Sequence, residues 1–333
     1  MRAVICKKLG SPADLSVEEL PDPMPAAGEV VVGIHSCGVN FPDLLVIQGK
    51  YQAKPPLPFS PGGEFAGVVQ QVGPGVAGIS PGDRVCGNVS TGAFREKLAV
   101  AAADLTKVPD GVDMTVAGSC LITYGTSLYA LRARGQLQRG QSLLVLGAGG
   151  GVGLAAVEIG VSMGARVVAA ASSDEKLAAA IRAGAHETLK YPSDVSTPAL
   201  QKALAAQLKG LAGNGGFDVI YDPVGGGYAE PALRSIGWQG RYLVVGFASG
   251  PIPSIPLNLA LLKGCQIVGV IWGGAWQHDP GLKQSVHSEL MQLLATGKIR
   301  PQVTSVLPLA QAADALSMLA ERRIVGKIAL RVT

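Results

Sequence analysis

A glycine-rich run, SLLVLGAGGGVGLAAV at residues 142–157, has the spacing of a phosphate-binding turn. Gly147, Gly150 and Gly153 stand where a short apolar run meets a stretch with helical periodicity. The main-chain N–H groups at a helix N-terminus bind phosphate, and a Cβ in the turn would keep a pyrophosphate away from them. We therefore expect a dinucleotide here rather than a tight turn without a ligand. The expected contacts are Gly147, Gly150, Gly151, Val152 and Gly153.

The residues after the next predicted strand, VVAAASSDEKL at 167–177, indicate the type of dinucleotide. NAD sites usually carry Asp or Glu about 20 residues after the glycines, where it accepts hydrogen bonds from the ribose 2′-hydroxyl. This chain has Ser172 and Ser173 at the strand end and Lys176 one helical turn later, and these groups suit a 2′-phosphate. We expect NADPH, with Tyr191 against the same phosphate. The alternative is that the two serines only cap the next helix.

The composition excludes several classes of protein. The chain has 333 residues, 48% of them hydrophobic and 16% charged, which is enough for two domains with large cores. Its net charge of +4 includes no basic run, which argues against nucleic-acid binding. No apolar stretch reaches the roughly 20 residues of a membrane span, and the N-terminal residues lack a signal-peptide core. We expect a soluble cytoplasmic protein.

The cysteines and histidines form no metal-binding pattern in the sequence. None of the five cysteines stands in a Cys-x-x-Cys pair, and no two of the four histidines have ligand spacing. We expect them to be buried or hydrogen-bonded structural residues. The sequence therefore predicts no metal.

Two patterns of secondary structure follow each other along the chain. Up to about residue 120, apolar segments such as EVVVGIHSCGV and EFAGVVQQVG are broken by glycine and proline, which predicts a β-rich domain. From SLLVLG onward, predicted strands and helices alternate, which predicts a parallel sheet with right-handed crossovers. Two amphipathic segments, at 282–297 and 309–323, then precede a closing strand, GKIALRV. We expect an α/β protein.

Five motifs in this order, SCGVNFPDLLVIQGKY, PPLPFSPGGEFAGVV, GAGGGVGL, SSDEK and GRYLVVGFASG, resemble those of the medium-chain dehydrogenases/reductases. Within that superfamily the chain is most similar to the zinc-free NADPH:quinone oxidoreductase (zeta-crystallin-like) branch. The resemblance implies a Rossmann doubly wound parallel sheet inserted in a GroES-like β-rich catalytic domain, with the cofactor in the cleft between them. The implied ranges are 1–121 and 273–333 for the catalytic domain and 122–272 for the NADPH-binding domain.

The same resemblance indicates that the metal site of the zinc-dependent alcohol dehydrogenases is missing. Those enzymes hold zinc with a Cys, a His and a second Cys, and the matching positions here are Asn40, Gly63 and, on or near it, Ile122. An amide, a glycine and an isoleucine do not build a tetrahedral zinc site. The alternative is a rearranged site that uses Cys37 and Cys120, which are close in sequence to Asn40 and Ile122 respectively.

Glu64, which follows the glycine in SPGGEFAGVV, then has no metal beside it. We expect it to be a buried structural acid with hydrogen-bond partners. Without a Lewis acid, the chemistry favours acceptors that take a hydride readily, such as quinones and α,β-unsaturated carbonyls. The protein then has to position C4 of the nicotinamide, exclude water and offer a hydrogen-bond donor.

The resemblance places four residues at the reaction centre: Asn40, Asp43, Tyr51 and Thr126. Asn40 and Tyr51 are the expected donors, and Thr126 is expected close to the nicotinamide. The alternatives are that Tyr51 is a packing residue and that Asp43 caps a helix. Leu45 stands where the family often has a tyrosine, so no general acid is predicted there.

Three further segments are expected to border the cofactor. VVGFASG ends a parallel strand at the carboxyl edge of the sheet, where ligands bind, VIWGG ends the next strand, and VGKIAL resembles the closing Gly-Lys of the family. The expected residues are Gly246, Phe247, Ala248, Ile271, Trp272, Gly273, Gly326 and Lys327. Trp272 is expected either in the wall of the substrate pocket or in the core.

These observations predict an NADPH-dependent, zinc-independent quinone oxidoreductase that acts on a small-molecule quinone. Two alternatives stay open: a C=C reductase of α,β-unsaturated aldehydes, ketones or enoyl thioesters, and a non-catalytic NADPH-binding protein. We also expect a homodimer, because CQIVGVIWG resembles the edge strand through which the family pairs across a twofold axis.

Overall fold

The computed structural model of the protein describes residues 1–332, without the side chain of Pro280, and divides into two compact units. Unit 1 contains Met1–Ile122, Gly281–Gly297 and the chain from Pro301 onward, and unit 2 contains Thr123–Pro280 and Lys298–Arg300. Each unit is built on its own large sheet. The domain boundaries that the resemblance implies stay a prediction.

Strands dominate the start of the chain, and strands and helices alternate after it. The first elements are β1 (Arg2–Ile5), β2 (Ser16–Glu19), β3 (Glu29–Val39), α1 (Phe41–Ile47), β4 (Glu64–Val72), β5 (Arg84–Asn88), β6 (Lys97–Ala101), β7 (Leu105–Lys107) and α2 (Met114–Leu128). The next are β8 (Ser142–Leu146), α3 (Gly151–Ser162), β9 (Arg166–Ala171), α4 (Asp174–Arg182), β10 (Glu187–Lys190), α5 (Pro198–Ala212), β11 (Phe217–Asp222), α6 (Ala229–Leu233), β12 (Ile236–Val244), α7 (Asn258–Lys263), β13 (Gln266–Gly269) and α8 (Trp272–His278). The last are α9 (Pro280–Ala295), β14 (Val303–Pro308), α10 (Ala312–Ala320) and β15 (Lys327–Arg331).

The large sheet of unit 1 has the strand order β14-β15-β3-β4-β5-β7, and β6 pairs with β3. All these pairs are antiparallel except β14 with β15. Val32, Phe65, Val85 and Leu330 from four of its strands form a buried core with Leu316 of α10. Because β3 pairs with β4 on one side and with β15 on the other, the end of β3 and the starts of β4 and β15 lie side by side. Asn40 follows the end of β3, Glu64 is the first residue of β4, and Lys327 is the first residue of β15.

The sheet of unit 2 is parallel and has the order β10-β9-β8-β11-β12-β13. With the strands numbered along the chain, this is the 3-2-1-4-5-6 order of a Rossmann fold. Leu143 to Leu146 of β8 are fully buried, as expected for a strand that helices cover on both faces. The predicted Rossmann sheet is confirmed.

The elements that the apolar patterns predicted are present with small shifts at their ends. EVVVGIHSCGV and EFAGVVQQVG form β3 and β4, and the two C-terminal amphipathic segments form α9 and α10. The helix α2, which runs through TVAGSCLITYG, was not predicted, because its glycine and β-branched residues do not favour a helix. In residues 1–332 we find no helix whose length and apolar character would allow it to cross a membrane.

Candidate active site

The glycine turn of unit 2 joins β8 to α3 and brings the helix N-terminus against the end of the strand. Gly147 has a φ of +61°, a conformation that favours glycine, and Gly150 is the N-cap residue of α3. A Cβ on Gly153 would lie only 2.2 Å from the carbonyl oxygen of Gly147, so the close approach of helix and strand requires glycine. Gly151 and Val152 are the first residues of α3, where the N–H groups of dinucleotide sites bind phosphate.

Lys176 lies over this turn. A Cβ on Gly149 would lie 2.3 Å from Cβ of Lys176, so the lysine stem packs directly on the glycine. Ser173 is the N-cap of α4, and its Oγ accepts a hydrogen bond from the N–H of Lys176 at 3.4 Å. The helix cap proposed as the alternative role is thus present at Ser173. The nearby acid Asp174 forms an ion pair with Lys190 at 2.6 Å, which offsets its negative charge.

Tyr191 directly follows β10, and its ring lies in the core of unit 2. Its N–H donates to the carbonyl of Ala171 at 3.0 Å. The side chain is 7% exposed, and the ring centroid lies 4.7 Å from that of Tyr228. Contact between Tyr191 and a phosphate stays a prediction.

Asp222, which was not predicted from the sequence, organises the neighbouring loop. It ends β11, and its Oδ1 accepts hydrogen bonds from the N–H groups of Val224 at 2.7 Å and Gly225 at 2.9 Å, while Oδ2 accepts one from the Tyr242 hydroxyl. Burial raises the pKa of Asp222. The loop lies on the glycine turn, because Cγ2 of Val224 is 2.8 Å from where a Cβ on Gly147 would be. The sequence feature that could have indicated this role is an acid at the end of a predicted strand, followed by PVGG.

The segment after β12 packs on the same loop. The N–H of Ala248 donates to the carbonyl of Pro223 at 3.0 Å, and Cδ1 of Phe247 lies 2.7 Å from where a Cβ on Gly225 would be. Gly246 precedes both residues. The three residues therefore lie at the carboxyl edge of the sheet, where the sequence predicted them.

Trp272, at the start of α8, is buried against α2. It is 5% exposed, and its Nε1 lies 3.0 Å from where a Cβ on Gly125 would be. Ile271 and Gly273 flank it in sequence, and the Ile271 side chain is 55% exposed. The burial favours a core role for Trp272. Thr126, next to the glycine on α2, is partly buried.

In unit 1, a buried lysine and glutamate surround Asn40. The ammonium of Lys327 donates to Asn40 Oδ1 at 2.6 Å and to Glu64 Oε1 at 3.0 Å. The amide Nδ2 of Asn40 donates to Glu64 Oε1 at 2.7 Å, and the N–H of Ile122 donates to Glu64 Oε2 at 2.8 Å. Gly326, with a φ of +79°, leads the chain into β15, of which Lys327 is the first residue. The expectation that Glu64 is a buried and hydrogen-bonded acid is confirmed.

The residues at the three zinc-ligand positions do not fit zinc. Asn40 is bound to a lysine ammonium, whose positive charge would repel a metal ion. A Cβ on Gly63 would lie 3.0 Å from Cδ1 of Ile122, so the isoleucine fills the space beside the glycine. Burial raises the pKa of the Cys37 and Cys120 thiols well above the usual value, which disfavours thiolate ligands. Within the part of the chain that the structure describes, we find no group of three or more His, Cys, Asp or Glu side chains that could hold a metal ion.

Asp43 caps α1 and is held beside this network. It is 5% exposed, and its Oδ2 accepts a hydrogen bond from the N–H of Asn40 at 2.8 Å. Burial raises the pKa of Asp43 to about 7, and the charge of Glu64 acts in the same direction. Tyr51 packs partly buried against the core of unit 1, and burial raises the pKa of its hydroxyl. The alternatives for both residues, a helix cap and a packing residue, are thus present and leave their chemical roles open.

Comparison with known proteins relates both parts of the chain to the alcohol dehydrogenases. The family described as alcohol dehydrogenase GroES-like domain matches residues 26–110, and the family described as zinc-binding dehydrogenase matches residues 151–295. The quinone oxidoreductase-like protein 2 of Mus musculus is 37% identical over 330 residues, which are 99% of this chain and 91% of that protein.

Two solved structures that contain NADPH have the same fold. A mycobacterial protein complexed with NADPH superposes with a TM-score of 0.91 at 31% identity, and the match covers 100% of both chains. The Escherichia coli quinone oxidoreductase complexed with NADPH has a TM-score of 0.89 at 26% identity, again over 100% of both chains.

Proposed function

Because the chain belongs to the medium-chain dehydrogenase/reductase superfamily, in its zinc-free quinone oxidoreductase branch, we propose that it transfers a hydride from NADPH to a quinone. The observation that carries the proposal is the site around Asn40, where a lysine and a glutamate surround an amide at a zinc-ligand position. Such a site offers no Lewis acid to polarise an unactivated carbonyl. It suits a conjugated acceptor, which spreads the added negative charge itself.

NADPH supplies the hydride when it is bound, and residues of unit 2 would hold it. The helix N-terminus at the glycine turn suits the pyrophosphate, and the Lys176 ammonium suits the 2′-phosphate. The NADPH in two structures of the same fold supports this assignment. The residues assigned to these two groups are Gly147, Gly150, Gly151, Val152, Gly153, Ser172, Ser173 and Lys176.

The reduction also needs a proton, since a quinone, one hydride and one proton give the hydroquinone. The amide Nδ2 of Asn40 already donates to Glu64 and, at 3.4 Å, to the carbonyl of Gly38. We therefore assign the hydrogen bond to the quinone oxygen to the hydroxyl of Tyr51. Asp43, with its pKa raised to about 7, is a group in the same unit that holds a proton near neutral pH.

The test is a steady-state assay of NADPH oxidation with 1,4-naphthoquinone and with 2-alkenals as acceptors. We expect turnover of the quinone, and we expect a chelator to leave it unchanged. The Tyr51→Phe variant should lower kcat for the quinone and retain NADPH binding. Turnover of alkenals alone would identify a C=C reductase, and tight NADPH binding without oxidation by any acceptor would identify a non-catalytic protein.

We further propose that the protein is a homodimer that pairs through the β13 edge of unit 2. The two edges of this sheet differ: β10 carries Glu187 and Lys190, whereas β13 presents the sequence QIVG. Trp238 of the neighbouring strand β12 is 72% exposed, and Leu261 and Leu262 of α7, the helix that precedes β13 in the chain, are 79% and 70% exposed. An apolar, exposed edge strand requires a cover, and a second copy of the same edge supplies one.

A further inference from the structure

Lys327 joins segments of unit 1 that are far apart in the sequence. Its Nζ lies within hydrogen-bond distance of Asn40 Oδ1, Glu64 Oε1 and, at 3.3 Å, the carbonyl oxygen of Val39. An ammonium has three N–H groups, so each of them has an acceptor inside unit 1. Lys327 is 4% exposed and Glu64 is fully buried, which is the setting in which a charge needs its partner most.

The two charges fix the orientation of the Asn40 side chain. Oδ1 accepts from the Lys327 ammonium, and Nδ2 donates to the Glu64 carboxylate. If the amide turned over, its N–H groups would face the ammonium and its oxygen would face the carboxylate, so both contacts would become repulsive. Only one orientation of this amide is therefore compatible with the ion pair.

The fixed amide is connected to the elements around it. Asn40 is the N-cap of α1, and its N–H donates to Asp43. Glu64 is bonded to the N–H of Ile122 in α2. A Cβ on Gly38 would lie 2.1 Å from Glu64 Oε1, so the carboxylate rests directly on the backbone of β3. The ion pair thus connects β15 and β4 to β3, to the start of α1 and to α2.

We propose that Lys327 is a positioning residue whose ammonium supplies, from within the polypeptide, the positive charge that zinc supplies in the metal-dependent dehydrogenases. It holds Glu64 and the amide of Asn40 in one arrangement and, through Asn40, the start of α1 with Asp43. This inference rests on the proposed reductase function for its kinetic readout. It differs from the contact with the cofactor that the sequence resemblance implies for Lys327.

The Lys327→Met variant separates these two roles. A positioning residue acts on the reacting geometry, so we expect kcat for the quinone to fall roughly tenfold or more while the dissociation constant of NADPH, measured by fluorescence, stays unchanged. A cofactor contact predicts the opposite: weaker NADPH binding with kcat retained at saturating NADPH. That second result would overturn the proposal.

A charge-balanced variant separates positioning from stability. Lys327→Met alone leaves the buried Glu64 carboxylate without its partner and destabilises the fold. The double variant Glu64→Gln/Lys327→Met restores neutrality, so we expect its melting temperature to recover while kcat stays low. If kcat recovers together with the melting temperature, Lys327 is only structural and the proposal is wrong. Should the single variant fail to fold, the double variant alone decides between these outcomes.

Lys283 offers a matched control in the same unit. It is also a buried lysine, 8% exposed, and it is paired with Asp104 at 2.7 Å and bonded to the carbonyl of Asn88 at 3.1 Å. Lys283→Met should lower the melting temperature and leave kcat of the folded enzyme unchanged. A loss of kcat equal to that of Lys327→Met would show a general effect of removing a buried charge and would overturn the proposal.

A spectroscopic readout keeps this test independent of the proposed reaction. The side-chain amide signals of Asn40 in ¹⁵N spectra can be assigned with an Asn40→Asp variant. We expect them to be shifted and slow to exchange with water in the native chain, to change in Lys327→Met, and to stay the same in Lys283→Met. If the native protein reduces no quinone but these signals behave as expected, the proposed function fails and the positioning role stands. Unchanged signals in Lys327→Met would overturn the positioning role.

Discussion

Lys176 carries the choice between NADPH and NADH in our proposal, because its stem packs on the glycine turn where the phosphates are expected. Lys176→Glu sets a negative charge against the 2′-phosphate, which NADH lacks. We expect NADPH to bind roughly 10- to 100-fold more weakly, as for the loss of a hydrogen bond to a charged group, and NADH to change much less. Titration of both cofactors by fluorescence checks this.

Lys209→Glu, the same charge change on α5, is the control and should leave both affinities unchanged. Equal weakening of NADPH and NADH in Lys176→Glu would contradict the assignment of the 2′-phosphate.

Asp43 gives a pH dependence whose sign is opposite to that of most acids. Burial raises the pKa of Asp43 from 3.8 to about 7, so the unfolded chain releases this proton at lower pH than the folded chain. Its contribution to stability is therefore full below pH about 4, declines as the pH rises and is lost above pH about 7. Asp43→Asn should gain in free energy of unfolding relative to the native chain over this range, by about 4 kcal/mol at most.

Chemical denaturation at pH 5 and pH 8 measures the Asp43 effect, and Asp14 provides the control. Asp14 has the same capping position after Ser11, but it is only partly buried, and its hydrogen bonds with Lys8 and Ser11 lower its pKa to about 2. A lowered pKa contributes stability that is lost only on acidification below the usual range. Asp14→Asn should therefore differ from the native chain by the same amount at both pH values. If the free energy of unfolding of Asp43→Asn also differs from that of the native chain by the same amount at both pH values, burial does not raise the pKa of Asp43 as we infer.

The residue types around the site were predictable to different degrees. Asn40 and Gly63 lie in short motifs that resemble those of the family, so the replacement of two zinc ligands at these positions could be inferred from the resemblance. The hydrogen-bond partner of Asn40 could not be inferred from the sequence, because Lys327 is 287 residues away in the chain and only the pairing of β15 with β3 brings the two together. Asp222 was missed for a similar reason, since its hydrogen bonds to the loop depend on the turn that follows β11.

At the scale of elements, the close approach of α3 to β8 depends on the glycine at position 153, which has no side chain. A Cβ on Gly153 would lie 2.2 Å from a backbone oxygen, which cannot move aside as a flexible side chain would. Gly153→Ala should therefore displace the start of α3, destabilise the fold by about 1–3 kcal/mol and weaken NADPH binding. Thermal unfolding and cofactor titration measure the two effects.

Gly210 is the matched control, because it lies in α5 and a Cβ there would meet nothing within 4 Å. The same glycine-to-alanine change should stabilise that helix by about 0.5–1 kcal/mol, since alanine loses less backbone freedom on folding. Destabilisation by both substitutions would show that the close contact at Gly153 is not the cause.

The elements that the sequence predicted best are those in which the buried positions follow a regular pattern along the chain. β8 is apolar at every position after Ser142, and the burial of β4 changes from continuous to alternating; both patterns are visible in the sequence. α2 has no such pattern, because its residues are buried on most sides and include glycine, serine and threonine. Its place in the fold follows from tertiary packing, for example from Gly118, where a Cβ would lie 2.6 Å from the carbonyl of Ser36.

At the scale of the whole molecule, the β13 edge of unit 2 predicts the oligomeric state. β13 pairs with β12 on one side only, and Leu261 of α7, the helix that precedes β13 in the chain, is 79% exposed. We expect the native protein to have the mass of a dimer in light scattering. Leu261→Asp together with Ile267→Lys should give monomers, because charges at a buried edge lose their hydration without gaining partners.

The other edge of the same sheet, formed by β10, tests whether dissociation of the dimer is specific to substitutions near β13. Thr188→Lys on β10 adds a charge to the other edge strand, and it should leave the dimer intact. A native monomer, or dissociation by both sets of substitutions, would contradict pairing through β13.

If the monomeric variant still binds NADPH with native affinity, the glycine turn and Lys176 form a complete phosphate site within one chain. We expect this result, because every contact that we assign to the phosphates lies in unit 2 of a single chain.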